Sequence, residues 1–183
     1  MAGNGGNFAK EVLVWVFQLA VVLACAVVTA IFFFQSVTMQ EGSMEPTLAT
    51  GDRFFINRMA YKLGSPKRGD IIAFKTSPKA EASVHVKRVI GLPGETIQIK
   101  DGQILINGET YKEGRDFPSI SDPGLAQEEL YLQAGEYFVL GDNRNNSDDS
   151  RYGDVGMVQK KYIEGELWFV AGPFKKIGFL KES

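Results

Sequence analysis

"IQIKDGQILI", residues 97–106, alternates apolar and polar side chains before an Asp-Gly pair and runs apolar and β-branched after it. Alternation with a period of two sends successive side chains to opposite faces of a strand. Asp-Gly favours the two-residue hairpin turn, in which both central residues take positive φ. The segment therefore reads as an antiparallel hairpin. Outward from it, short apolar and β-branched runs recur: "RFFINR" (53–58), "DIIAFKT" (70–76), "SVHVKRVIG" (83–91), "EYFVLGD" (136–142) and "GELWFVAG" (165–172). Turn signals separate them at Gly51-Asp52, Gly69-Asp70, Pro93-Gly94 and Pro123-Gly124. Residues 112–128 are polar and contain proline, which predicts a surface loop with a short helix near Gln127. No long amphipathic helix competes, so residues 36–183 are expected to form a mainly β domain, an antiparallel sheet system or partly closed barrel.

The apolar residues are unevenly placed. "VLVWVFQLAVVLACAVVTAIFFF", residues 12–34, carries no charge, and only Gln18 and Thr29 are distinctly polar. As a helix at ~1.5 Å per residue it would reach about 34 Å, enough to cross a hydrocarbon core of roughly 30 Å. It exceeds the 7–15 apolar residues of a cleaved signal sequence. It also lacks the polar positions at helical spacing of a surface-packed helix. A single transmembrane anchor over 12–34 is expected, after a short tail over 1–11. Lys10 is the only basic residue before the span and Arg53 the nearest after it, so charge gives little guide to orientation. The short tail suits an anchor whose following domain is translocated.

The formal net charge of −2 and pI near 5.5 give no reason to expect nucleic-acid binding. The single cysteine, Cys25, excludes an intrachain disulfide.

Chemistry concentrates in three stretches. "EGSMEPTLATGDRFFINR" (41–58) sets Ser43 between Gly42 and Met44, with Pro46 stiffening the exit. A serine hydroxyl is a poor nucleophile until a neighbouring base takes its proton. The one histidine, His85, stands two residues from Lys87 in a strand pattern, so both face one way, with Val86 and Arg88 opposite. No acidic residue is placed by motif to orient His85, so a Ser-His-Asp triad lacks its third member. Lysine titrates near 10.4 when free, and holding it neutral at pH 7 costs roughly 4–5 kcal/mol. Burial among side chains such as Val84, Val86, Val89, Ile90 and Leu92 would supply that. Spacing alone leaves His85 and Lys87 both open as the base, and leaves open that Lys87 and Arg88 are merely solvated. The third stretch, "GDNRNNSDDSRYGDVG" (141–156), reads as a loop fixed by side-chain to backbone hydrogen bonds. Calcium fits it poorly, because Arg144 occupies a ligand position and no glutamate closes the loop.

In their order, these blocks resemble the bacterial type I signal peptidases, membrane-anchored serine proteases with a Ser-Lys dyad. "GSMEPTL" resembles the nucleophile box, "GDRFFINR" the strand after it, "RGDIIAFK" with "VKRVIGLPGE" the lysine box, and "GDNRNNSDDSR" the last box. The resemblance implies Ser43 as nucleophile and Lys87 as general base, with Ser147 hydrogen-bonding the lysine amine. It implies that Asp149 and Arg151 brace that loop and that Asp142 and Arg88 form another ion pair. Met44, Leu48, Phe54, Ala73 and Val86 fall at positions associated with the substrate pockets. The family needs no metal or cofactor. It also implies an antiparallel β domain with an apolar face on the membrane, on the extracytoplasmic side of the cell membrane. The substrate is the extended end of a secretory signal peptide, with small side chains at the first and third residues before the cut. Conjugation-maturation and organellar processing peptidases share these boxes. A non-catalytic anchored β domain would follow if Lys87 were exposed and distant from Ser43. One departure is Glu41, where some members place a serine that donates to the oxyanion; an ionised carboxylate cannot donate. The Ser43 backbone N–H is then the expected main donor, with the Glu41 carboxylate turned away from the scissile carbonyl.

Overall fold

The computed structural model describes residues 5–77 and 83–180; residues 1–4 of the predicted tail lie outside them. It divides into two units, Met1–Gln35 and Ser36–Ser183. The first is a helix, α1 (Gly5–Phe33), which takes in the second half of the predicted tail. Phe34, the last residue of the apolar stretch, already opens a strand. Every side chain from Phe8 to Ala30 is exposed. The Thr29 hydroxyl donates to the Cys25 carbonyl at 2.7 Å, which satisfies a polar group within an otherwise apolar helix.

The second unit is mainly β, as its alternation predicts. The strands are β1 (Phe34–Thr38), β2 (Arg53–Asn57), β3 (Ile71–Lys75), β4 (Val84–Gly91), β5 (Thr96–Lys100), β6 (Gln103–Ile106) and β7 (Glu109–Thr110). After a long loop come β8 (Leu130–Tyr131), β9 (Glu136–Leu140), β10 (Val158–Gln159), β11 (Ile163–Gly172) and β12 (Gly178–Phe179). The large sheet has the order β1-β2-β11-β3-β4-β9-β10, and β12 pairs with the far half of β11. The small sheet has the order β7-β6-β5-β8. Among the described residues neither sheet closes, so of the two expected forms the antiparallel sheet system is the one found, as two open sheets, and the partly closed barrel is not. The centre of the large sheet is covered on both sides. Along β3, Ile71 and Ala73 join one cluster with Phe54, Ile56 and Val86, whereas Ile72 and Phe74 join another with Val89, Tyr137 and Val139. A third cluster joins the small sheet, through Ile97, Ile99 and Ile104, to Ile90, Phe138 and Leu140. Each fully buried side chain of this size contributes roughly 1.5–3 kcal/mol.

The hairpin turns as its sequence requires. Lys100 pairs with Gln103, leaving Asp101 (φ 51°) and Gly102 (φ 75°) as the two turn residues. A second such turn at Asn107-Gly108 links β6 to β7, with φ of 52° and 80°. The 112–128 loop carries a 3-10 turn at Gly124–Gln127. Between β3 and β4 the register pairs Ile72 with Lys87 and Phe74 with His85. That register carries the lysine amine into the interior of the sheet.

Candidate active site

Ser43 follows β1 in a turn segment, 5 % exposed, and Lys87 sits in mid-β4 with no exposure at all. The Lys87 amine lies 2.7 Å from Ser43 Oγ, within hydrogen-bond reach across 44 residues of sequence. Burial pushes the Lys87 pKa below its ordinary value, while the nearby Glu41, Asp149 and Asp148 carboxylates pull it back up. Of the two candidate bases it is Lys87 that meets the serine. His85 stacks obliquely on Phe74, with ring centroids 5.8 Å apart, and its Nδ1 is 3.9 Å from Glu41 Oε1. Burial lowers its pKa too.

Glu41 faces the pair. Its Oε2 lies 3.5 Å from both Ser43 Oγ and Lys87 Nζ, on a side chain that is half exposed.

The 141–156 loop is not the solvated turn its composition would allow. Asp142 is buried and held in a two-pronged pair by Arg88, at 2.8 and 2.7 Å, and also accepts from the Thr47 hydroxyl. Arg88 spends another N–H on the Gly69 carbonyl. Asp149 is paired with Arg151 at 2.8 and 2.9 Å, both buried, and its second oxygen accepts the Gly141 N–H. Arg151 also donates to the Asp122 and Ser147 carbonyls, which fixes the loop's curvature. Two of the loop's carboxylates, Asp142 and Asp149, are thus committed to guanidinium groups.

Ser147 departs from what the resemblance implies. Its hydroxyl is buried beside Gly141 and has no hydrogen-bond partner among the described residues, so the bond to the Lys87 amine is not formed in this arrangement. Met44, Leu48, Phe54, Ala73 and Val86 all lie in one core cluster next to Ser43, none more than 4 % exposed.

Sequence reasoning missed three participants. Arg144, 2 % exposed, pairs with Glu113 at 2.5 Å, lies over the Phe117 ring and donates to the Gly141 carbonyl. Asn143 bonds to the backbone on both sides of the Ser43 α-carbon. Gly141 leaves no room for a side chain against Ser147 and the Ser43 carbonyl. The small and polar residues of "GDNR" mark a turn, but nothing in them names these partners.

The Asp149–Arg151 pair gives a stability prediction. Removing one partner of a buried pair strands the other charge, at a cost of about 3–5 kcal/mol. Arg151→Ala is expected to lower the unfolding free energy by that amount in urea titration. A loss below about 1 kcal/mol would mean that Asp149 finds another partner or water.

Residues 12–171 match the family model described as signal peptidase, peptidase S26. A signal peptidase I from Bacillus licheniformis is 35% identical over 183 aligned residues, covering 93% of this chain and 94% of that protein. Signal peptidase I T from Bacillus subtilis (strain 168) is 35% identical, covering 90% and 88%. A solved signal peptidase I from Enterococcus faecalis V583 is 38% identical, with a TM-score of 0.43 over 56% of this chain and 96% of that one. The chain belongs to the signal peptidase family, peptidase S26, and is a serine endopeptidase.

Proposed function

We propose that Ser43 and Lys87 are the catalytic dyad of this peptidase, and that it removes signal peptides from secreted preproteins while anchored in the cell membrane by residues 12–34. The observation that carries this reading is the 2.7 Å approach of a wholly buried lysine amine to Ser43 Oγ. Lys87, neutral, takes the hydroxyl proton as Ser43 attacks the scissile carbonyl. It then protonates the leaving amine, and finally draws a proton from the water that clears the acyl-enzyme. Asp149, Arg151, Asp142 and Arg88 hold the loop and strand around that amine, and Ser147 is tied into the loop through its carbonyl, which accepts from Arg151. An extended substrate adds as a strand to a sheet edge. Met44, Leu48, Phe54, Ala73 and Val86 floor its pockets; because their side chains already pack together, the depressions above them are shallow and admit small residues.

The exposed apolar helix supports the anchor, since a run of this length in water would leave its whole surface uncovered. Sharing a bilayer with the substrate's own apolar run raises the effective concentration of the two. The β domain has a matching feature. Trp168, Phe169 and Phe179 cluster with ring centroids 5.3–5.8 Å apart, and Phe174 and Phe179 are 91 % and 70 % exposed. Such an aromatic patch suits the interfacial layer of a membrane. The catalytic domain is assigned to the extracytoplasmic side, where translocated preproteins emerge.

The test is cleavage of a signal-bearing preprotein by the detergent-solubilised full chain, with the product's N-terminus sequenced. A single cut after a small-x-small pattern is expected; an intact preprotein would refute the proposal.

Glu41 adds a pH prediction. The base must be neutral, so activity falls as pH drops through the Lys87 pKa. The Glu41 carboxylate favours the ammonium and raises that pKa. Glu41→Gln removes this influence, so the acid limb of the kcat/KM profile is expected to move to lower pH. A limb that stays or moves upward would show that Glu41 does not act on the base.

A further inference from the structure

We propose that Asn143 is the positioning residue of the oxyanion hole, aiming the Ser43 backbone N–H at the oxygen of the reacting carbonyl. The inference rests on the peptidase reading above and concerns the same site. Asn143 grips the nucleophile segment twice. Its backbone N–H donates to the Ser43 carbonyl at 3.0 Å, and its side-chain amide donates through Nδ2 to the Gly42 carbonyl at 3.1 Å. One residue, 101 positions away, thus holds the carbonyls on both sides of the Ser43 α-carbon.

The consequence follows from peptide geometry. In a planar trans peptide the C=O and the next N–H point in opposite directions. Holding the Gly42 carbonyl toward Asn143 therefore turns the Ser43 N–H the other way. The Glu45 N–H, at 3.2 Å from the same carbonyl, closes the turn and reinforces the hold. The Ser43 N–H itself meets no acceptor among the described residues, although Ser43 is buried. A backbone donor left without a protein partner in a residue only 5 % exposed is uncommon; a transition-state oxygen would supply its acceptor. The hold is rigid, because neighbouring Asp142 is fixed by Arg88 and Thr47. It also carries unusual weight here. The position two residues before the nucleophile is Glu41, which cannot donate while ionised, so the backbone N–H has no serine hydroxyl beside it to share the charge.

The test compares Asn143→Ala and Asn143→Asp with the full-length chain. Asn143→Asp keeps the shape but offers no donor to the Gly42 carbonyl, and both variants keep the backbone N–H. Removing an oxyanion donor outright costs about 100–1000-fold in kcat, so misaiming it is expected to cost about 10–100-fold, with KM nearly unchanged. A peptide boronate, whose serine adduct is tetrahedral, should lose affinity in parallel with kcat. An uncleavable peptide of the same sequence should bind as to the parent chain. Unchanged kcat in both variants overturns the proposal, as does a loss confined to KM or an equal loss for boronate and peptide. If Asn143→Ala lowers the melting temperature, the boronate-to-peptide ratio in Asn143→Asp decides. A parent chain that leaves the preprotein whole, with Ser43→Ala no different, refutes the peptidase reading and this inference with it. An active parent with normal Asn143 variants refutes the inference alone.

Discussion

Ser43→Ala and Lys87→Ala each cut preprotein cleavage by an expected roughly 10^4–10^6-fold, whereas His85→Ala keeps most of the activity. The loss is large because nucleophile and base act as one unit, and removing either disables both. His85 is spared because nothing in the geometry gives it the proton. It touches Phe74 and approaches Glu41, and the Ser43 hydroxyl is engaged by Lys87. Its removal opens a little space beside Glu41 without moving the dyad. The comparison is made in one steady-state assay at one pH. His85→Ala as inactive as Ser43→Ala would overturn the Ser-Lys assignment.

Gly141→Ala is expected to cost about 100-fold or more in kcat with the β domain still folded. A Cβ built on Gly141 would lie 2.5 Å from the Ser43 carbonyl oxygen and collide with Ser147 Oγ. One neighbour is backbone, so the collision is relieved only by moving the nucleophile segment or the 141–156 loop. A displacement near 1 Å at a reacting group costs on the order of 100-fold. The Gly141 N–H bond to Asp149 and the Arg144 bond to the Gly141 carbonyl oppose a shift of the loop, so Ser43 takes most of it. Full activity in Gly141→Ala, with an unchanged melting temperature, would show that the loop yields freely.

What the sequence made legible was the local chemistry. Asp101-Gly102 specifies its turn by itself, since both residues must take positive φ, and the flanking alternation then sets register and face. The strand period likewise put His85 and Lys87 on one face. It could not choose between them, because the choice depends on which one the Ser43 segment reaches from 44 residues away. Closure of the sheet was illegible for a related reason. A strand such as β3, buried at every position from Ile71 to Phe74, reads the same in a barrel wall and in an open sheet covered on both faces. The last box was legible in part: the Asp142–Arg88 and Asp149–Arg151 pairs stand as the resemblance implies. Its composition reads as a hydrogen-bonded loop but does not show the depth of burial: Asp142, Arg144, Asp149 and Arg151 are all at most 2 % exposed. Their burial is tolerable because each charge meets an opposite charge, two of them from outside the loop, Arg88 and Glu113. Partnerships of that kind leave no local pattern. For the same reason Asn143 and Gly141 stayed hidden, since their work is done on a backbone segment a hundred residues away.

The protonation state of Lys87 tests the central claim most directly. Its amine can be followed by NMR titration in the detergent-solubilised full chain, assigned by comparison with Lys87→Arg. The account predicts that Lys87 loses its proton at a pH well below that of the remaining lysines, as burial of its amine against Ser43 requires. A Lys87 that titrates with the others, near the ordinary lysine value of about 10.4, would contradict it.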